Sequence, residues 1–296
     1  TIEITMDKPL DPSYTLYEAG TGILPREELE KKGDAFGLDP VGCGPFKFVK
    51  WVKGSEIVLA KNPDFYEKGK PYLDRLVYKI MPEGASRDIA FRAKELDATL
   101  VSAVQYPVYK ADPQISRNMV EVAEHFTRLI GFNPKYEPFS RKQVRQASNY
   151  AIDSRLIIQK LLKGKAFPCV GYLPSTSMAF DPQAKGYEFD PEKARALMKE
   201  AGYQGQKIVV LSTKDYTWNN NAAQVLVPEL EAVGFNVDLQ VYDWPTLLSR
   251  RTKKDLWDIF LTGFSPSIDP TAVIFFGSQW PGWYESKALE EALSQW

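Results

Sequence analysis

The chain has 296 residues, with 37 Lys and Arg against 38 Asp and Glu, a formal net charge of −1 and a hydrophobic fraction of 44%. That length suggests about two domains and is ample for a buried core. The charge balance argues against a dedicated nucleic-acid binder, which would show a basic patch, and excludes an acidic disordered chain. A single histidine, His125, stands beside 16 Phe, 15 Tyr and 7 Trp, which removes most chemistry that depends on an imidazole.

In chain order, residues 1–17 read as a strand and a Pro-bearing loop. Pro25 then opens a short helix with early acids and late lysines that stops at Gly33, the charge order that the helix dipole favours. A Gly-Pro turn at Gly44-Pro45 feeds a strand through Trp51, and further strands are expected at 55–60 and 72–81. The i, i+3, i+4 spacing of Ile89, Ala90, Ala93 and Leu96 predicts a helix over 86–96, followed by short strands near 98–101 and 119–123 and a longer one at 126–134. Residues 141–163 read as one long helix, and Pro168, Pro174 and Pro182 mark a long irregular loop. From there the pattern alternates. A helix over 190–202 starts with Asp190 as N-cap and Pro191 at its first position. Strand 207–212, helix 219–233, strand 235–242, helix 245–254 and strand 256–264 follow, and a last helical pattern runs to Trp296. Phe235, Val237, Leu239 and Val241 alternate on one face. Such alternation of helix and strand implies a mostly parallel α/β sheet. The natural boundary falls near residue 130, dividing a strand-rich part (1–130) from an α/β part (131–296).

Motifs of catalysis are weak. Gly42-Cys43-Gly44 is followed by Pro45 and a strand, where a phosphate loop needs a helix. Residues 262–267 carry Pro266 before Ser267 and lack the second glycine of a nucleophile elbow. Carboxylates abound in no diagnostic context, leaving a two-carboxylate glycosidase as a minor reading. Cys43 and Cys169 lack metal-ligand spacing, and a bridge between them would need an oxidising compartment. No cofactor or metal is expected. The first ten residues hold no signal peptide and no apolar run approaches a membrane span.

The better lead is a set of aromatic and basic residues near the predicted strand ends of the second half. Tyr242 and Trp244 end one strand, Arg250 follows on the next helix, and Phe264 and Ser265 end another, with Ser267 just beyond. Trp280, Trp283 and Tyr284 form a further aromatic loop. The carboxyl edge of a parallel sheet is where such folds bind ligands; flat rings bury organic surface, and an arginine can clamp a carboxylate. Each of these aromatics could instead close the core; taken together they point to a site.

The stretch from Asp39 through Ile80, with Gly42-Cys43-Gly44-Pro45-Phe46 at its head, resembles the extracytoplasmic solute-binding proteins of family 5, the peptide, nickel, opine and oligosaccharide receptors of ABC importers. The resemblance continues through Phe132-Asn133-Pro134, Pro138-Phe139, Val144-Arg145-Gln146-Ala147 and Tyr150-Ala151, then through 187–203 and 233–251. Cys43 departs from it, since the family usually has Thr there. The resemblance implies a two-lobed periplasmic binding protein-like α/β fold of class II with both lobes incomplete: 1–130 part of the first and 131–296 most of the second. It implies further segments before and after this stretch, with the signal peptide outside the given chain, and a hinge crossing at 128–134. It also implies a monomeric receptor in the periplasm or on the cell surface. This receptor captures a small organic solute, oligopeptide-, opine- or oligosaccharide-like, by hinge closure and delivers it to the permease subunits of an ABC transporter, with no catalytic residue. In peptide-binding members an Asp shortly after the strand that here ends at Phe264 pairs with the ligand amine; here Pro266 and Ser267 occupy that neighbourhood, and Asp269 matches a helix-capping position. Arg250 matches a family arginine able to meet a ligand carboxylate. A hydrolase of peptides or oligosaccharides and a chaperone-like or adhesive role are the alternatives.

Overall fold

The structure is a computed structural model that describes residues 3, 5, 22–122, 126–171, 173–177, 180–265 and 280–295. The expected opening strand, His125, Ser267 and Asp269 lie outside that set. The chain divides into two compact units, Thr1–Leu100 and Val101–Trp296, whereas the sequence pattern alone changes near residue 130. Segment 101–122 goes with the second unit through Lys165, whose Nζ lies 4.1 Å from the Tyr106 ring centroid and 3.8 Å from a Glu121 carboxylate oxygen.

In the first unit α1 (Arg26–Lys32) carries Glu27 and Glu28 in its first turn and Lys31 and Lys32 in its last. A 3-10 turn at Gly33–Leu38 follows, burying Phe36. Strands β1 (Phe46–Val52), β2 (Glu56–Lys61) and β3 (Arg75–Lys79) form an antiparallel meander in the order β1-β2-β3. Asn62 ties its start: Nδ2 donates to the Gly44 carbonyl at 2.8 Å and Oδ1 accepts from the Asp64 N–H at 3.1 Å. Helix α2 (Gly84–Arg92) completes the unit and buries Ala90.

The second unit opens with two short helices, α3 (Tyr106–Ala111) and α4 (Pro113–Ser116). Neither of the flanking strands expected near 98–101 and 119–123 forms among the described residues. Prolines at the first turns of α3 and α4 suit a helix start, and Asp112 caps α4 by accepting from the Gln114 N–H at 2.9 Å. The expected long helix is two: α5 (Lys142–Ala151) and α6 (Ser154–Leu162). Ile152 turns extended, and Asp153 begins α6 by accepting from the Leu156 N–H at 2.9 Å. As expected, α7 (Pro191–Glu200) is capped by Asp190. Strand β4 (Thr127–Phe132) joins β5 (Lys207–Thr213), β6 (Asn236–Tyr242) and β7 (Ile259–Phe264) in the order β4-β7-β5-β6. β5 pairs in parallel with β6 and β7, while β4 runs antiparallel to β7.

Helix α8 (Thr217–Ala232) connects β5 to β6, and α9 (Trp244–Arg251) connects β6 to β7. The first crossover steps one strand outward and the second steps back past β5. Right-handed crossovers in opposite directions place their helices on opposite faces, and the packing agrees. On the first face Leu226 and Leu230 of α8 pack with Phe139, Val144, Ile208, Val210, Ile259 and Leu261. On the second, Leu247 of α9 packs with Leu211, Trp257, Phe260 and Trp283. Phe235, Val237 and Leu239 of the predicted alternation join the first face; Val241 is exposed. Helix α10 (Lys287–Gln295) follows the last aromatic loop.

Candidate ligand-binding site

The reversal of direction between the two crossovers puts a topological switch point between β5 and β7, the place where open α/β sheets form a crevice at their carboxyl edge. Thr213 lies opposite Tyr242, and Thr127 at the start of β4 lies opposite Phe264, so four strand ends share one edge.

Two turns on that edge are tied together. The Asp215 carboxylate, after β5, accepts from the Trp244 N–H at 2.7 Å, and the Tyr216 and Trp244 rings meet edge to face at 5.1 Å. Asp243 caps α9, accepting from the Thr246 N–H at 2.9 Å; that bond and the Thr246 hydroxyl hold its carboxyl below the usual range.

The structure places the expected site residues in three groups. Tyr242, Trp244, Phe264 and Ser265 come together at the carboxyl edge. Arg250 lies down the second face, its guanidinium 4.8 Å from the Tyr242 ring centroid. Its Nη2 donates to Gln240 Oε1 at 3.1 Å, the same oxygen that accepts from the Tyr242 hydroxyl at 3.1 Å. Trp280 and Trp283 turn inward: the Trp283 N–H donates to the Trp280 carbonyl at 2.7 Å, and Trp283 sits 5.9 Å from Trp257 in the second-face core. Between them and the sheet, Arg251, 8% exposed, lies 4.8 Å from the Trp280 centroid and 5.2 Å from that of Phe260, and burial pulls its pKa down. Tyr284 is exposed.

Three residues at the same edge are additional to that expectation. Phe126 and Arg128 lie on the first face with Ile130, and the Arg128 guanidinium is 5.0 Å from the Phe126 centroid and 5.4 Å from that of Trp218 in the first turn of α8. Gly263, opposite Arg128, leaves the space this needs: a Cβ there would overlap the Phe126 ring. A sequence signal exists, since Arg128 interrupts the apolar alternation Phe126, Ile130, Phe132; its aromatic partner in α8 is 90 positions away and leaves no local trace.

Both thiols are free and exposed. Cys169 Sγ donates to the Leu173 carbonyl at 3.0 Å, and burial pushes its thiol up, partly offset by the Thr127 hydroxyl at the start of β4. Among the described residues no group of acids, histidine and thiols could hold a metal ion, and no helix is long and apolar enough to cross a membrane.

Comparison with known proteins agrees with this architecture. The family model described as "Bacterial extracellular solute-binding proteins, family 5 Middle" matches residues 1–282. Di/tripeptide-binding protein 2 of Pseudomonas aeruginosa is 30% identical over 235 residues, covering 78% of this chain and 43% of that protein. The periplasmic binding protein DppA of Helicobacter pylori, solved with the peptide STSA, superposes with a TM-score of 0.86 at 27% identity, over 98% of this chain and 59% of its own. NikZ of Campylobacter jejuni, solved with Ni(L-His), superposes at 0.77 with 26% identity, over 93% of this chain and 59% of its own. The chain thus spans about half the length of the relatives it matches. With the family match extending through both compact units, the chain belongs to the bacterial extracellular solute-binding proteins of family 5.

Proposed function

We propose that this chain supplies much of a solute receptor that captures a small organic, peptide-like solute and hands it, chemically unchanged, to the permease of an ABC importer. The observation that carries the reading is the carboxyl edge at the β5/β7 switch point, where Tyr216, Tyr242, Trp244 and Phe264 gather around the strand ends. Aromatic faces supply apolar area to a bound solute, and backbone groups at the strand ends supply directional hydrogen bonds. Ser265 offers a hydroxyl just past β7, Ser267 follows it in the sequence, and Trp280, Trp283 and Tyr284 are the aromatic residues of the loop that precedes the last helix. Residues 131–296 form most of one lobe and 1–130 part of the other. Closure follows from ligand contacts that favour the closed over the open state. The receptor works as a monomer outside the cytoplasmic membrane.

The relatives' ligands, a di- or tripeptide in one name and the peptide STSA in one solved complex, favour a peptide over a metal chelate. Native mass spectrometry of the whole natural protein, purified from its own source, tests this. A co-purifying peptide-sized solute, recovered intact after prolonged incubation, is expected. Conversion of that solute to fragments would replace the receptor with a hydrolase.

A further inference from the structure

We propose that Arg251 holds a small carboxylate anion, formate- or acetate-like, on the second face of the sheet, at a place separate from the carboxyl edge. The inference does not depend on the solute-receptor reading. Arg251 is the last residue of α9, and its guanidinium lies 5.2 Å from the Phe260 centroid and 4.8 Å from that of Trp280. Phe260 is four residues back from Phe264 along β7. At about 3.3 Å per residue that sets Phe260 roughly 13 Å from the strand ends where a solute enters.

The charge at this place is buried and unanswered. Arg251 is 8% exposed, and among the described residues its guanidinium makes no ion pair and no hydrogen bond. Nε is sealed from solvent and the terminal nitrogens are not, so the outer edge of the fork meets the surface through a narrow opening. Taking a guanidinium out of water is costly unless acceptor oxygens replace the water. The two rings and the carboxyl end of α9 offset part of the charge, yet the N–H groups meet no acceptor. The neighbours keep the surroundings positive. Lys254 Nζ lies 5.4 Å from the Trp283 centroid, and the carboxylate of Glu285, which Lys254 also attracts, is paired with Lys135 at 2.6 Å.

The geometry selects the kind of anion. A flat guanidinium meets a flat carboxylate end-on through two parallel bonds, where chloride offers a single point of contact. A tetrahedral oxyanion needs more room than an opening that leaves Arg251 8% exposed. The side chain is also held in place before an anion arrives, which reduces the ordering cost of binding. Trp257 Nε1 donates to the Arg251 carbonyl at 2.9 Å, and the two rings flank the guanidinium. Arg250, next to it in the chain, is placed differently, with Nη2 donating to Gln240.

The test uses the whole natural protein in a buffer poor in small anions. Thermal unfolding is followed by circular dichroism after addition of sodium formate, acetate, chloride or sulfate at one ionic strength. Formate and acetate at about 100 mM are expected to raise Tm by about 2–4 °C more than chloride or sulfate, the shift given by a ligand present at roughly tenfold its Kd. In Arg251→Met the formate and chloride curves are expected to coincide. Arg251→Lys, which keeps the charge but loses the flat fork, is expected to retain less than about half of the shift. An equal response of wild type to all the salts, or none, overturns the site, because screening acts on every salt alike. A formate shift that survives in Arg251→Met places the anion elsewhere and overturns it too. An undiminished shift in Arg251→Lys overturns the fork as the recognition element. A measurement on wild type alone covers the case of a variant that does not fold: saturating the aromatic protons of the protein is expected to attenuate the acetate methyl signal, and no transfer overturns the proposal. Each overturning outcome leaves the solute-receptor reading standing.

Discussion

The two faces of the four-stranded sheet bury their surfaces with different chemistry. The first face is closed mainly by aliphatic residues of α5, α7 and α8 against Ile208, Val210, Ile259 and Leu261, with Phe139 stacked between Phe132 and Phe235 at 5.3 and 6.2 Å. The second face has a smaller core of Leu211, Leu247, Trp257, Phe260 and Trp283, into which α9 sends two arginines. Interiors of the first kind are stabilised by packing volume and transfer out of water. The second kind trades part of that gain for the cost of burying cations, offset by aromatic faces.

Substitutions can break this contrast. Phe139→Ala is expected to cost about 3–5 kcal/mol, because a fully buried ring leaves a cavity that rigid neighbours cannot fill. Denaturant unfolding measures it, and a cost below about 1 kcal/mol would falsify the description of the first face as a tightly packed core. On the second face Arg251→Met is expected to shift stability by no more than about 1 kcal/mol, since a flexible apolar side chain of similar length replaces a cation whose desolvation cost disappears with it. A loss comparable to that of Phe139→Ala would mean that the stacked cation itself holds this face together.

Binding sharpens the comparison next. Sequence alone makes Arg250 the clamp for an anionic end, which implies more than about tenfold weaker binding in Arg250→Ala. With Nη2 on Gln240 and the guanidinium over Tyr242, a change of about threefold or less is expected, the range of a substitution outside the contact set. Calorimetry with an anionic tripeptide separates the two figures.

The smallest effect concerns Cys169. Its thiol is pushed up by burial, so less thiolate is present at a given pH and alkylation slows. Iodoacetamide followed by peptide mapping should label Cys43 ahead of Cys169 at neutral pH, with the Cys169 rate still climbing as pH rises through the alkaline range. Equal rates at neutral pH would place Cys169 in open solvent.

Much of the fold was legible in the sequence because its signals are local. The Asp190-Pro191 start of α7 and the Phe235, Val237, Leu239 alternation of β6 are each decided within a few residues. Segments 98–101 and 119–122 read as strands because short apolar runs fit either pattern; the helices between them are fixed by proline placement and the Asp112 cap. The break between α5 and α6 turns on Asp153, which a continuous apolar stripe conceals. Strand ends follow from the parallel-sheet rule, so the placement of Tyr242, Trp244, Phe264 and Ser265 at the carboxyl edge was within reach. The inward turn of Trp280 and Trp283 and the bond between Arg250 and Gln240 depend on packing between elements. The meeting of Arg128 with Trp218 likewise needs β4 and α8 to be placed side by side.

Asn133, fully buried just past β4, donates through Nδ2 to the carbonyls of Lys254 at 2.7 Å and Trp257 at 2.9 Å, while its own N–H donates to the Asp258 carbonyl at 2.9 Å. Those bonds fix where β4 aligns with β7. A slip of one residue would exchange the strand's two sides, carrying Thr127 and Leu129 to the α8 side and Arg128 away from it. One amide at the far end of the strand thus sets the address of a charge five residues upstream. A substitution at Asn133 would therefore be felt at the opposite end of the strand, at the carboxyl edge.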